Sequence, residues 1–248
     1  MVIGENPMTP YSGLNTHSFE RSLGFISSGG NQRLFCHRMA CKFGVAPPGL
    51  PVVQYPMPLG KKFFDQPTVE LAKALLGKYL VYGDLKGRIV ETEAYLYRDD
   101  PACHASRSRT ARNDPMFGPA GNIYVYLIYG MYHCMNIVSG KTDEGEAVLI
   151  RALEPVGGIE LMRQRRGVAK LENLCNGPGK LTQAFGITKE HNNLSLLDDG
   201  ELQLHDSREK LEVQVSGRVG LTVGRELQLR FFIKNNRFVS KAPGIHKP

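Results

Sequence analysis

Apolar residues recur with a clear period only beyond residue 60. Leu71, Leu75 and Leu76 fall at helical spacing, Pro67 suits a first helical turn and Gly77 a helix exit, so a short helix packed by one face is predicted. Two β-runs follow, 79–82 and 88–95, parted by Gly83-Asp84-Leu85-Lys86-Gly87 as a hairpin loop. Residues 98–121 show no period and read as one long loop, a kind of segment that tends to carry function. Strands resume at 123–128 and 131–138 around Tyr129-Gly130. The run 147–153 is apolar except for Arg151 and reads as a strand buried on both faces. Helices are expected at 156–166 and 178–185. From 213 to 239 strand patterning returns, with Leu227, Leu229, Phe231 and Ile233 alternating against Gln228 and Arg230. The pattern gives an α+β fold: a single mixed domain with a curved, mainly antiparallel sheet and peripheral helices.

Residues 1–56 contain the breakers Gly29-Gly30 and Pro47-Pro48-Gly49 and no apolar period, so they read as a disordered extension before a domain at 57–248. No run approaches the roughly 18 apolar residues that span a bilayer, and a soluble, intracellular monomer with no membrane partner is expected. The net charge of +7 favours a polyanionic partner such as nucleic acid without identifying one. Cys36, Cys41, Cys103, Cys134 and Cys175 form no C-x-x-C pair and read as free thiols in a reducing compartment. There is no H-x-E with a following C-x-x-C and no H-E-x-x-H, so no metal and no cofactor is expected. Gly179-Lys180 lacks the glycine and the Ser or Thr of a nucleotide-triphosphate loop, yet a lysine opening a helix suits a single backbone phosphate.

Three clusters bear on chemistry. Tyr124, Tyr126, Tyr129 and Tyr132 crowd two strands and their turn; Tyr124 and Tyr132 read as packing residues, whereas Tyr129, next to Gly130, suits a ring projecting from the turn toward water or into a base stack. Glu91 and Glu93 share a strand face with Ile89 and Tyr95, a half-buried setting in which a carboxylate needs a partner or a raised pKa. Arg151, alone in its apolar strand, is the candidate partner. A carboxylate so held could deprotonate a water, and a structural buried ion pair explains the same residues equally well. His104, in the long loop, could meet a ligand's edge or simply be exposed.

Taken in order, GRIVETEAY at 87–95, His104, MFGPAGNIYVYLIYGMYHCMN at 116–136, LIRALEP at 149–155 and NGPGKL at 176–181 resemble the alkyladenine DNA glycosylases, also called methylpurine or 3-methyladenine DNA glycosylases. The likeness spans roughly 61–241. It implies a monofunctional enzyme of base excision repair that flips an alkylated or deaminated purine from damaged double-stranded DNA and hydrolyses its N-glycosidic bond. By the same resemblance, Glu93 activates the water and Arg151 helps hold it. Tyr95 and Tyr126 sandwich the base, His104 bonds its edge, and Asn136 opposes the exocyclic amine of guanine. Tyr129 enters the vacated stack, and Arg109 and Lys180 contact the DNA backbone. A non-catalytic stacking platform for nucleic acid is the alternative from another class, and it has no need of a buried Glu93 beside Arg151.

Overall fold

The computed structural model describes residues 57–207 and 209–241. The extension expected at 1–56 lies outside the described residues. Eight strands build one antiparallel sheet: β1 (Tyr79–Tyr82), β2 (Leu85–Tyr95), β3 (Ile123–Ile128), β4 (Tyr132–Ser139), β5 (Glu146–Gly157), β6 (Leu202–His205), β7 (Val213–Ser216) and β8 (Arg230–Ile233). They run in the order β3-β4-β5-β2-β1-β6, with β8 added to β2 and β7 to β8. Four α-helices accompany the sheet among the described residues: α1 (Lys61–Phe64), α2 (Thr68–Ala74), α3 (Ile159–Arg166) and α4 (Pro178–Phe185). The α+β reading of the sequence therefore holds.

The predicted first helix is α2. Leu71, Ala72 and Leu75 along it are fully buried, and Gly77 at φ 81° turns the chain into β1. A side chain at Gly77 would be strained by that backbone and would also strike Leu211, 2.6 Å from the added Cβ. Thr92 Oγ1 in β2 donates to Ala72 O at 2.8 Å, which fixes the helix on the middle of the sheet.

β2 is the spine of the fold. One edge pairs with β5 along nearly its whole length; the other is divided, Leu85–Arg88 pairing with β1 and Glu91–Glu93 with β8. This division puts the two glutamates between β5 and β8. The β2–β5 ladder is irregular just there: Ile89 opposes Leu153, Glu91 opposes Ala152 and Thr92 opposes Ile150, so Val90 and then Arg151 are left without an opposite residue. Such bulges re-aim side chains beside functional sites.

The structure corrects several details of the pattern reading. β2 begins at Leu85 rather than 88, because Leu85 is buried and pairs with Tyr82, so the loop shrinks to Gly83-Asp84. β6 carries too short a pattern to stand out, and it survives by pairing with β1. Arg230, which looks like the outward residue of an alternating strand, is only 3% exposed and binds Glu91. Tyr132, expected to pack, is 46% exposed, whereas Tyr124 is buried as expected.

Candidate active site

Glu93 is fully buried and its two oxygens are held by three donors. Val219 N donates to Oε1 at 2.8 Å, and the Tyr95 hydroxyl and Arg151 Nη1 donate to Oε2 at 3.0 and 3.4 Å. A carboxylate offers about four acceptor positions, so about one is left for a water. Burial pushes the Glu93 pKa above the ordinary carboxylate range, against the pull of Arg151, the Val219 amide and the Tyr95 hydroxyl; the neighbouring Glu91 adds to the rise. A carboxylate tuned upward in this way is, when ionised, a better base than an exposed one.

Glu91 differs from Glu93 in having four close donors, three of them crowded on one oxygen. Arg230 Nε (2.6 Å), Arg151 Nε (3.1 Å) and Ser240 Oγ (2.9 Å) meet Oε1, and Ser240 N (2.7 Å) meets Oε2. Arg151 thus bridges both carboxylates, and Glu91 serves as its anchor. Breaking a buried arrangement of this kind by deleting one partner leaves an uncompensated charge.

Beside Glu93 lies a pocket lined by Tyr95, Ala102, His104, Met116, Tyr124, Tyr126 and Asn136. Four of these were singled out in the sequence as base-binding residues. Strand pairing sets Tyr124 against Asn136 and Tyr126 against Cys134, so β3 and β4 furnish one wall. Tyr95, at the end of β2, furnishes another, and the loop after it brings His104. The His104 ring stands edge-on to Tyr126, centroids 4.6 Å apart, and its Nδ1 lies 3.1 Å from the Tyr124 hydroxyl. Burial, then the charge of Arg112, lowers the His104 pKa, so the ring is neutral near pH 7 and its Nε2 is left for a ligand. Asn136 is buried and donates through Nδ2 to Tyr124 O at 3.1 Å, which holds the amide at the pocket wall.

Tyr129 stands apart from the pocket on the β3–β4 turn. It is 79% exposed, flanked by Met131 at 66%, and makes a bulky apolar tip. Tyr129 and Gly130 both have positive φ, 53° and 69°, with Met131 N donating to Ile128 O, a tight turn whose twist suits a hairpin. An aromatic residue in the left-handed region is uncommon and strained.

The two backbone-contact candidates differ in their surroundings. Lys180, in the first turn of α4, donates from Nζ to Asn176 Oδ1 at 2.8 Å, and its pKa is lowered by partial burial and then by the nearby charges of Arg166 and Lys241. A small basic cluster therefore surrounds it. Arg109 is instead paired internally, with Asp114 at 2.7 Å and Asp143 at 2.9 Å. Arg112, which the sequence did not single out, lies over Tyr126 at 5.8 Å. Also missed were Arg218, Asp100 and Ser240; the only signal they carried was their place in irregular stretches.

A family model described as methylpurine-DNA glycosylase matches residues 62–237, which include every one of these side chains except Ser240 and Lys241. The chain belongs to the methylpurine-DNA glycosylase family. It is 50% identical over 193 residues to a protein of Methanoculleus marisnigri, an alignment covering 75% of this chain and all of that protein. A protein of Francisella tularensis is 47% identical over 182 residues, covering 70% of this chain and 94% of its own. One from Carboxydothermus hydrogenoformans is 44% identical over 191 residues, covering 75% and 100%. All three are provisionally named 3-methyladenine DNA glycosylases. As a family member this chain is a hydrolytic DNA glycosylase of DNA repair. No helix among the described residues is long and apolar enough to cross a membrane.

Proposed function

We propose that this glycosylase is monofunctional, flips alkylated or deaminated purines out of duplex DNA, and hydrolyses the N-glycosidic bond with Glu93 as base. The observation that carries the reading is the buried Glu93 carboxylate, with a raised pKa and one acceptor position to spare, bonded to the hydroxyl of Tyr95 in the wall of an aromatic pocket. In the reaction Glu93 takes a proton from water, the water oxygen bonds to the anomeric carbon, and the bond from that carbon to the purine nitrogen breaks with its electron pair going to the base. Arg151 holds Glu93, and with it the water, in place. Among the described residues no lysine is hydrogen-bonded to Glu93, which favours water over an amine nucleophile.

Tyr95 and Tyr126 supply stacking faces, which gain a cation–π contribution when the purine is positively charged by alkylation. His104 Nε2 bonds the base edge. Release of base from duplexes carrying 3-methyladenine, 7-methylguanine, hypoxanthine or ethenoadenine is the test. Failure to release any of them, with intact duplex binding, would leave only the stacking platform.

Asn136, held at the pocket wall by Tyr124 O, excludes the guanine amine by occupying the space it would need. Asn136→Ser is expected to release normal guanine measurably while retaining hypoxanthine excision, and equal exclusion in both proteins would remove this role. Lys180 and its basic neighbours contact phosphate, which releases counterions on binding. Lys180→Ala should therefore weaken binding alike across sequences and flatten the plot of log affinity against log salt by about one unit. An unchanged slope would exclude Lys180 from the interface. Arg109 reaches phosphate only by exchanging its bonds to Asp114 and Asp143.

A further inference from the structure

Glu93 owes one of its three donors to a loop with no regular structure, and something must fix that loop. The donor is Val219 N, and the residue before it is Arg218, whose side chain is fully buried. Its guanidinium grips Asp100 at two points, Nη1 to Oδ2 and Nη2 to Oδ1, each 2.6 Å, and Nη1 also donates to Ala94 O at 3.0 Å. Ala94 lies between Glu93 and Tyr95 in β2. The guanidinium carbon sits 4.6 Å from the Tyr95 ring centroid, and Arg218 does not line the pocket. Asp100 in turn accepts from Leu96 N and Ala102 N, both at 3.1 Å, so it organises the turn that leads from Tyr95 toward His104. Gly224 passes so close that an added Cβ would lie 3.1 Å from Arg218 Nη2.

We propose that Arg218, locked by Asp100, is a positioning residue for the reaction: it joins β2, the turn at 96–102 and the loop at 217–219, thereby holding the Val219 amide on Glu93 Oε1 and backing the Tyr95 ring. This rests on Glu93 acting as the base. Bidentate arginine geometry is what such a junction requires, since a lysine would offer a point charge without the fork.

The groups facing Glu93 are Tyr95 and Glu91 from β2, Arg151 from β5, Tyr126 from β3, Cys134 from β4, Arg230 from β8 and Arg218 with the Val219 amide from the loop. Replacing Arg218 loosens the loop, removing the amide and with it the Arg218 charge that faces Glu93. A hydrogen bond to the ionised form lowers an acid's pKa, so its loss raises that of Glu93, and base release needs Glu93 ionised. The acid limb of the pH–rate profile must then move to higher pH.

The experiment measures single-turnover release of 7-methylguanine and hypoxanthine from pH 4.5 to 9 with wild type, Arg218→Met paired with Asp100→Asn, and Arg218→Lys. The paired change avoids leaving one buried charge alone. Thermal unfolding and reaction amplitude report the folded, active fraction. The paired variant is expected to shift the acid limb upward by about one pH unit, with rates recovering toward wild type at high pH. Arg218→Lys, a milder change in case the paired variant does not fold, should shift it less. A purely structural role lowers amplitude at every pH and leaves the limb where it was; that result in either folded variant overturns the proposal. Wild type that releases neither base would defeat the glycosylase mechanism itself.

Discussion

Glu93→Gln should cut single-turnover base release by roughly 10² to 10⁴ or more while lesion binding persists. Glutamine matches glutamate in size and its Oε1 can still accept from Val219 N, so the pocket is expected to keep its shape. What is lost is the capacity to take a proton from water. On the proposed reading, binding draws on the stacking faces of Tyr95 and Tyr126 and on the hairpin tip, and the glutamine amide can still meet the Tyr95 hydroxyl. In wild type the same group, acting as base, should set the acid side of the pH profile. The active form is deprotonated and burial raises the folded pKa, so activity falls as pH drops through that raised value, at higher pH than for an exposed carboxylate. A Glu93→Gln protein that cleaves at the wild-type rate, or a profile flat down to the ordinary carboxylate range, would remove Glu93 as base.

A different failure is expected of Tyr129→Ser. If the exposed ring fills the gap left by an extruded base, its loss should weaken binding to a lesion duplex by roughly 5- to 150-fold, corresponding to about 1 to 3 kcal/mol of stacking. Ethenoadenine fluorescence, which rises on unstacking, should show a flipped base that no longer persists. Tyr129→Asn adds a control, because asparagine tolerates the left-handed backbone that strains tyrosine. It should match or exceed wild type in thermal stability yet lose binding as Tyr129→Ser does. If both variants stabilise the flipped base as well as wild type, the plug lies elsewhere.

Much of this site was legible in the sequence because its parts lie on strands with strong patterns. Glu93 and Tyr95 follow each other along β2, Tyr126 and Asn136 along a hairpin marked by Tyr129-Gly130, and Arg151 interrupts an apolar run. A charged residue in such a run needs a buried counter-charge, and the nearest candidates were the paired glutamates. The rest depended on contacts between distant segments. Arg230 sits where alternation points outward, but β8 lies on the edge of β2 beside Glu91 and buries it. Arg218 and Asp100 stand 118 residues apart in irregular chain, and no local pattern links them. Arg109 showed its charge in the sequence but not the two aspartates that occupy it.

The paired irregularities in the β2–β5 ladder have a consequence for how this architecture can change. Ile89 opposes Leu153 and Thr92 opposes Ile150, the same offset along both strands, so the skipped residues Val90 and Arg151 cancel. The distortion is a closed blister: from Gly87 to Tyr95 the register on its two sides is the same, and the ladder shifts again only at its far end, between Lys86 and Gly87. Side chains within the blister can therefore be re-aimed or exchanged without sliding the rest of the sheet, and a one-residue slip, which would turn every downstream side chain to the opposite face, is avoided. A deletion of Val90 alone or Arg151 alone breaks that cancellation, and its damage should spread to the ends of the sheet; deleting both should confine it to the surroundings of Glu93.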